Sequence, residues 1–198
     1  MDILVKPVQF EETIKGSRFL SELLPCDSQA SAREMIKAQK AKYVDSTHVV
    51  HAFVVGKGAE VMGMSDDGEP SGTAGRPVLD VLKGRKCTNC LLTVTRWFGG
   101  TLLGTGGLVK AYSCGAKQVI EAADQAAAFE ELVAKLPFSF STDYSLYKLI
   151  KINLGDFHIY NLAEDFGTGI TLKGEIREDE YKSLAEKLKN LSNGKINI

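Results

Sequence analysis

Leu91-Leu92-Thr93-Val94-Thr95-Arg96-Trp97-Phe98-Gly99-Gly100-Thr101-Leu102-Leu103-Gly104-Thr105-Gly106-Gly107-Leu108 reads as a strand running through a glycine loop into a helix. Residues 91–98 are β-branched, apolar or aromatic around one charge, as a buried strand is. A long helix is expected from about Gly106 to Ala123. Backbone N–H groups at such a helix start are unpaired, and with the helix dipole they can converge on an anion. Glycine lets the main chain approach a ligand closely. Two fingerprints fail. Gly99 to Gly104 fits the glycine frame of a P-loop, but Thr105 stands where the lysine belongs. Gly104-x-Gly106-x-x-Val109 lacks the last glycine of a dinucleotide loop. A tight turn with close helix–sheet packing is the plain alternative. Five glycines in nine residues (Gly99, Gly100, Gly104, Gly106 and Gly107) exceed what a turn needs, so the loop is read as a binding surface without a named nucleotide.

Upstream, residues 3–10 and 18–24 are strand candidates separated by Lys15-Gly16-Ser17. Ser31-x-x-Glu34 matches a capping box and predicts a helix to about Lys42. Residues 48–55 form a valine-rich strand, and residues 60–64 can pair with it through Gly56-Lys57-Gly58. Val78, Leu79 and Leu82 predict a helix over about 74–82. Before it lies a second dense run, Ser65-Asp66-Asp67-Gly68-Glu69-Pro70-Ser71-Gly72-Thr73-Ala74-Gly75-Arg76-Pro77. Asp66, Asp67 and Glu69 could bind a cation or do acid–base work. An acidic turn, in which Asp caps the following backbone and Pro70 sets the exit angle, is the favoured reading over a metal site. Ser71, Gly72 and Thr73 offer hydroxyls and free backbone to a polar ligand.

Glycine use changes along the chain, with 14 of 19 glycines before residue 135. Downstream, residues 138–141 alternate as a half-buried strand should. A helix over 144–154, strands over 157–163 and 169–176, a helix over 178–191 and a closing strand over 195–198 follow. That βαββαβ order is ferredoxin-like. The expected class is α+β with two domains, residues 1–134 and 135–198.

Composition removes several functions. With 24 Lys and Arg against 25 Asp and Glu, the chain lacks the positive excess that drives sequence-independent nucleic-acid binding. Residues 1–135 hold 16 basic and 16 acidic side chains, and residues 136–198 hold 8 and 9. No apolar run is long enough for a membrane span. Without a secretory signal and with four cysteines, the expected location is the cytoplasm and no disulfide framework is expected. Cys87-x-x-Cys90 has no second pair for zinc and enters a strand rather than a helix, so it reads as core. His48 and His51 point to opposite faces of their strand. No cofactor and no metal are expected.

The two dense runs, with Lys15-Gly16-Ser17-Arg18-Phe19, Thr47-His48 and Tyr112-Ser113, together resemble the IMPACT family in its bacterial YigZ-like branch. The resemblance covers nearly the whole chain. It implies a first domain like one shared by a small-subunit ribosomal protein and domain four of elongation factor G. It implies a second like the ferredoxin-like fifth domain of that factor. It further implies a role in translation regulation, with RNA or the ribosome as partner.

The resulting expectation is a non-enzymatic translation factor with a glycine-rich anion-binding surface. Arg96 and Lys110 would hold phosphate beside the glycine loop, and Asp66, Asp67 and Glu69 would shape the opposite wall with His48 nearby. A guanidinium at this strand end is poorly suited to core packing, so Arg96 is expected either to pair with Asp66, Asp67 or Glu69 or to be held ready for an anion. The rival is an enzyme acting on a small phosphorylated or peptide-like substrate in the same cleft.

Overall fold

The computed structural model describes residues 1–198. The chain divides into two compact units, Met1–Leu132 and Val133–Ile198. Each mixes helices with antiparallel pairing, which makes the class α+β.

In the first unit the strands are β1 (Asp2–Leu4), β2 (Val8–Ile14), β3 (Ser17–Pro25), β4 (His48–Val55), β5 (Val61–Ser65), β6 (Cys87–Thr88), β7 (Cys90–Trp97) and β8 (Phe129–Glu131). The helices are α1 (Gln29–Lys42), α2 (Gly75–Arg85) and α3 (Gly104–Gln125). Five strands form an antiparallel sheet in the order β2-β3-β7-β4-β5. Successive strand residues face opposite sides, and that parity sorts the two cores. Val50, Ala52 and Val54 of β4, with Leu92 and Val94 of β7, join α2 and α3 in the main core. Phe53, Val55 and Leu91 have the other parity and pack with Ala32 and Met35 of α1. Helices on both sides explain why β4 and β7 are apolar without alternation. Cys87 and Cys90 lie in the main core with their sulfurs 3.7 Å apart.

Three boundaries differ from the sequence reading, each for a local reason. The single strand over 3–10 is two strands broken at Pro7, which cannot donate to a ladder. β1 instead pairs with β6 and β8 in a separate small sheet. The first helix starts before the Ser31 box. Ser28 has extended backbone, and its Oγ accepts from the Ser31 N–H at 3.2 Å, so Ser28 is the N-cap. α3 begins at Gly104 rather than Gly106.

The second unit holds β9 (Lys135–Thr142), α4 (Tyr144–Leu154), β10 (Ile159–Phe166), β11 (Ile170–Arg177) and α5 (Tyr181–Leu191). Its sheet order is β10-β11-β9, antiparallel throughout. Phe138, Phe140, Leu172 and Ile176 of the sheet meet Ile150 of α4 and Leu184 and Leu188 of α5. The closing strand expected over 195–198 does not form. Ile196 is buried in this core, but its N–H donates to Ser192 Oγ at 2.8 Å and the Lys195 N–H donates to the Ser192 carbonyl. Those donors are tied to the end of α5 and unavailable to a ladder. No helix of the chain is long and apolar enough to cross a membrane.

One backbone contact anchors the glycine loop to the sheet. A Cβ on Gly16 would stand 2.8 Å from the Gly99 carbonyl oxygen, and a Cβ on Gly99 would run into the Gly16 carbonyl. Gly99→Ala is therefore expected to lower stability by about 3 kcal/mol or more through overpacking. At Gly84 in α2 nothing lies within 4 Å of an added Cβ, so Gly84→Ala should stabilise by roughly 0.5–1 kcal/mol. Denaturant unfolding of both variants tests the contact, and similar midpoints would contradict it.

Candidate functional site

Register brings the first two site residues together. β4 pairs with β7 so that His48 stands opposite Arg96. Both share parity with Val50 and Val94, so both side chains are on the sheet face that carries α2 and α3. The chain leaving β5 turns over this face through Asp67 and Gly68, whose φ values of 47° and 89° are left-handed.

The three carboxylates of that turn diverge. Asp66 Oδ1 accepts from the Ala74 and Gly75 N–H groups at 3.1 and 2.8 Å, and Oδ2 accepts from Gly72 at 2.9 Å. It caps the start of α2, whose own N-cap, Ala74, has no side-chain oxygen to offer. Partial burial pushes the Asp66 carboxyl up, but the three backbone bonds outweigh it and hold it below its ordinary value. Asp67 Oδ2 accepts from the Val49 N–H at 2.6 Å, and Oδ1 pairs with Lys40 of α1.

Glu69 turns inward and is 7% exposed. Its Oε1 accepts from Arg96 Nη1 and from the Tyr112 hydroxyl, each at 2.7 Å. Arg96 is 5% exposed and also donates through Nη2 to Ser17 Oγ at 3.3 Å. Burial, together with the Glu69 carboxylate, holds the Tyr112 phenol far above its ordinary value, so it stays a donor. His48 Nδ1 lies 2.8 Å from the Asp67 carbonyl oxygen, and Nε2 lies 3.9 Å from Glu69 Oε2.

The glycine loop divides by role. Gly99 serves the Gly16 contact, and its N–H donates to Ser17 Oγ at 3.1 Å. Gly100 and Gly104 have left-handed φ values of 86° and 74° and open space at their Cβ positions. Gly104, Gly106 and Gly107 form the first turn of α3, where Leu103 supplies no side-chain cap. The leading N–H groups of that turn have no intrahelical acceptor. A cleft of about 450 Å³ opens here, bordered by Thr47, His48, Glu69, Arg96, Phe98 and Gly104. Pro70, Leu102, Leu103 and Leu108 supply apolar wall.

The two dense runs thus lie side by side, with several corrections to individual roles. Asp66 and Asp67 are not cleft wall, because both carboxylates are spent on backbone N–H groups and Lys40. Thr73 is buried with its hydroxyl on the Pro70 carbonyl at 2.6 Å. Ser71, Gly72 and Lys110 are exposed and do not border the cleft. Arg96 borders it in the first of its two expected states, its Nη1 donating to Glu69 while its Nε is buried without a partner. Tyr112 and Thr47 are site residues that the sequence does not single out as such, whereas Phe98 adjoins Arg96 in the chain and borders the cleft beside it. A tyrosine one helical turn after Leu108, in an otherwise apolar stripe, was the available signal for the first.

The Impact N-terminal domain family is matched over residues 15–120, a span that contains every residue of the cleft. The chain belongs to the IMPACT family. An IMPACT family member of Haemophilus influenzae is 34% identical over 193 residues, covering 96% of this chain and 92% of that one. The IMPACT family member YigZ of Escherichia coli is 42% identical over 116 residues, which is 58% of this chain and 57% of its own. A crystal structure described only as that of a hypothetical protein superposes with a TM-score of 0.68 at 32% identity. It covers 98% of this chain and is itself 93% covered.

Removing one member of a buried ion pair leaves an uncompensated charge in a low dielectric. Arg96→Ala is therefore expected to cost about 3–5 kcal/mol in unfolding free energy. Arg96→Lys should recover only part, because an ammonium cannot reproduce the fork that meets Glu69 and Ser17. A loss below about 1 kcal/mol in the alanine variant, by denaturant titration, would show the pair to be dispensable.

Asp66 makes a separate prediction. Its folded pKa is depressed, so its contribution is present in full above the ordinary carboxyl value of 3.8. That contribution is lost as pH falls through the lower folded value. Asp66→Asn should be destabilised by about 1 kcal/mol at neutral pH and converge on the unsubstituted protein in acid. A gap that persists undiminished in acid would rule out the carboxylate charge as the cause.

Proposed function

We propose that this IMPACT family member regulates translation by docking on RNA or the ribosome through this cleft. A phosphate would sit at the start of α3, with a base against Phe98. The observation that carries the reading is the helix start itself: α3 has no side-chain N-cap and opens into the cleft beside an aromatic ring that is 46% exposed. Unpaired helical N–H groups favour anions, and an exposed ring offers a stacking face to an unpaired base. Trp97 is already engaged, with the Arg18 guanidinium 3.6 Å from its ring centre and its Nε1 donating to Asp45. Phe98, with the Arg96 guanidinium a longer 5.6 Å from its ring centre and nearly half its surface exposed, is the aromatic that can stack. The chain carries 24 basic and 25 acidic side chains, which suits local docking on a ribonucleoprotein better than coating of free nucleic acid.

The rival reading is an enzyme acting on a small phosphorylated or peptide-like substrate in the same cleft. The hydrogen bonds of His48 and His158 go to Asp67 and Glu180, and no serine, threonine or cysteine is joined to either. A nucleophile–base pair, the usual mark of covalent catalysis, is therefore not what distinguishes this cleft.

Titration of a fluorescent single-stranded RNA at two salt concentrations, with ribosome co-sedimentation, tests the proposal. Phe98→Ala should weaken binding by about 1–3 kcal/mol, the worth of one stacked base. Thr105→Glu, which places a carboxylate at the helix start, should weaken it at least as much, with circular dichroism unchanged for both. Undiminished affinity in both folded variants would remove the cleft from RNA recognition.

A further inference from the structure

We infer that His48 is the ligand-contacting cation of this cleft, and that a phosphate-bearing ligand is bound together with one proton on its imidazole. The inference rests on the anion-binding reading above and adds to it the group that answers the charge.

The other charged groups at this face are already engaged. Arg96 is matched by Glu69, and Asp67 by Lys40 of α1. Asp66 is turned to the α2 backbone, and Asp45 accepts from Trp97. From α3, Tyr112 reaches Glu69 as a neutral donor, and Gly104 through Val109 contain no titratable side chain. His48 is the one member of the lining whose charge is not set in advance. With its imidazole neutral, the buried pair leaves the cleft without net charge. With it protonated, the cleft carries one positive charge.

The ring is aimed for that role. A carbonyl oxygen can only accept, so Nδ1, which faces the Asp67 carbonyl at 2.8 Å, carries a hydrogen in either state. A second proton can therefore be carried only at Nε2. That nitrogen lies 3.9 Å from Glu69 Oε2, within ion-pair range of a protonated ring but too far for a hydrogen bond, and both short bonds to the carboxylate fall on the other oxygen. Gly68 holds the opposite side of the ring, where an added Cβ would lie 3.4 Å from Nδ1. Neutral Nε2 presents a lone pair, which repels a phosphate oxygen. Protonated Nε2 donates to it. A phosphate thus selects the imidazolium, and because the side chain is only 18% exposed, its charge is screened less than one in open water.

The test is isothermal titration of a short oligouridylate without terminal phosphates, and separately of inorganic sulfate, both of constant charge over the range, in two buffers of differing protonation enthalpy. Measurements span about pH 5 to 8, where histidine changes charge. Wherever the free protein's imidazole is neutral, about one proton should be taken up per ligand, and affinity should fall by up to about tenfold per pH unit. His48→Gln should bind weakly without proton uptake. His48→Lys keeps its charge over the whole range and should bind with little pH dependence. Proton uptake that persists in both variants, or binding by the unsubstituted protein that is equally tight across the range, overturns the inference but leaves the cleft as the binding site. Absence of binding at every pH overturns the anion-binding reading and this inference together.

Discussion

Glu69 Oε1 accepts two short hydrogen bonds, one from β7 through Arg96 and one from α3 through Tyr112. A carboxylate 7% exposed would be strongly unfavourable without such partners. The burial is tolerated because the guanidinium opposite it is also held by Ser17 at the start of β3. Three elements and the acidic turn therefore converge on one ion pair. Losing Arg96 or Glu69 strands the other's charge in the core, and losing Tyr112 or Ser17 removes a hydrogen-bond partner of the pair. The cleft borders this pair, so its shape depends on an interaction that faces mostly inward.

That arrangement explains why a glycine-rich, charge-rich sequence makes a cleft with little net charge. Three acidic and two basic residues of the dense runs are consumed internally or exposed away from it. The remaining surface is aromatic, aliphatic and backbone, with one imidazole. On the function proposed above, such a surface would discriminate by shape, stacking and backbone donors rather than by long-range attraction. The near balance of charge along the whole chain is consistent with that local kind of recognition.

Glycine does two different jobs within a few residues of the same loop. Gly99 is required where two backbones meet, and Gly100 and Gly104 where φ is positive with open space beyond. The first fixes the loop to the β2–β3 turn, and the second leaves its outer side free of side chains. A composition count cannot separate these roles, because both show up only as absence of a Cβ.

The sequence by itself determined the α+β class and most strands and helices. Those features follow from local periodicity, turn chemistry and motif spacing, which act over a few residues. It did not determine that residues 3–10 split at Pro7, that 195–198 stays off the sheet, or that Asp66, Asp67 and Glu69 part company. The first two depend on which donors a distant strand or helix end leaves available. The third depends on the backbone turning through positive φ at Asp67 and Gly68, which points neighbouring carboxylates in unrelated directions. Arg96 is the clearest case. Its place at a strand end was legible, but its state was decided by Glu69 and Tyr112, residues 27 and 16 positions away that only the folded chain brings within hydrogen-bond distance of one another.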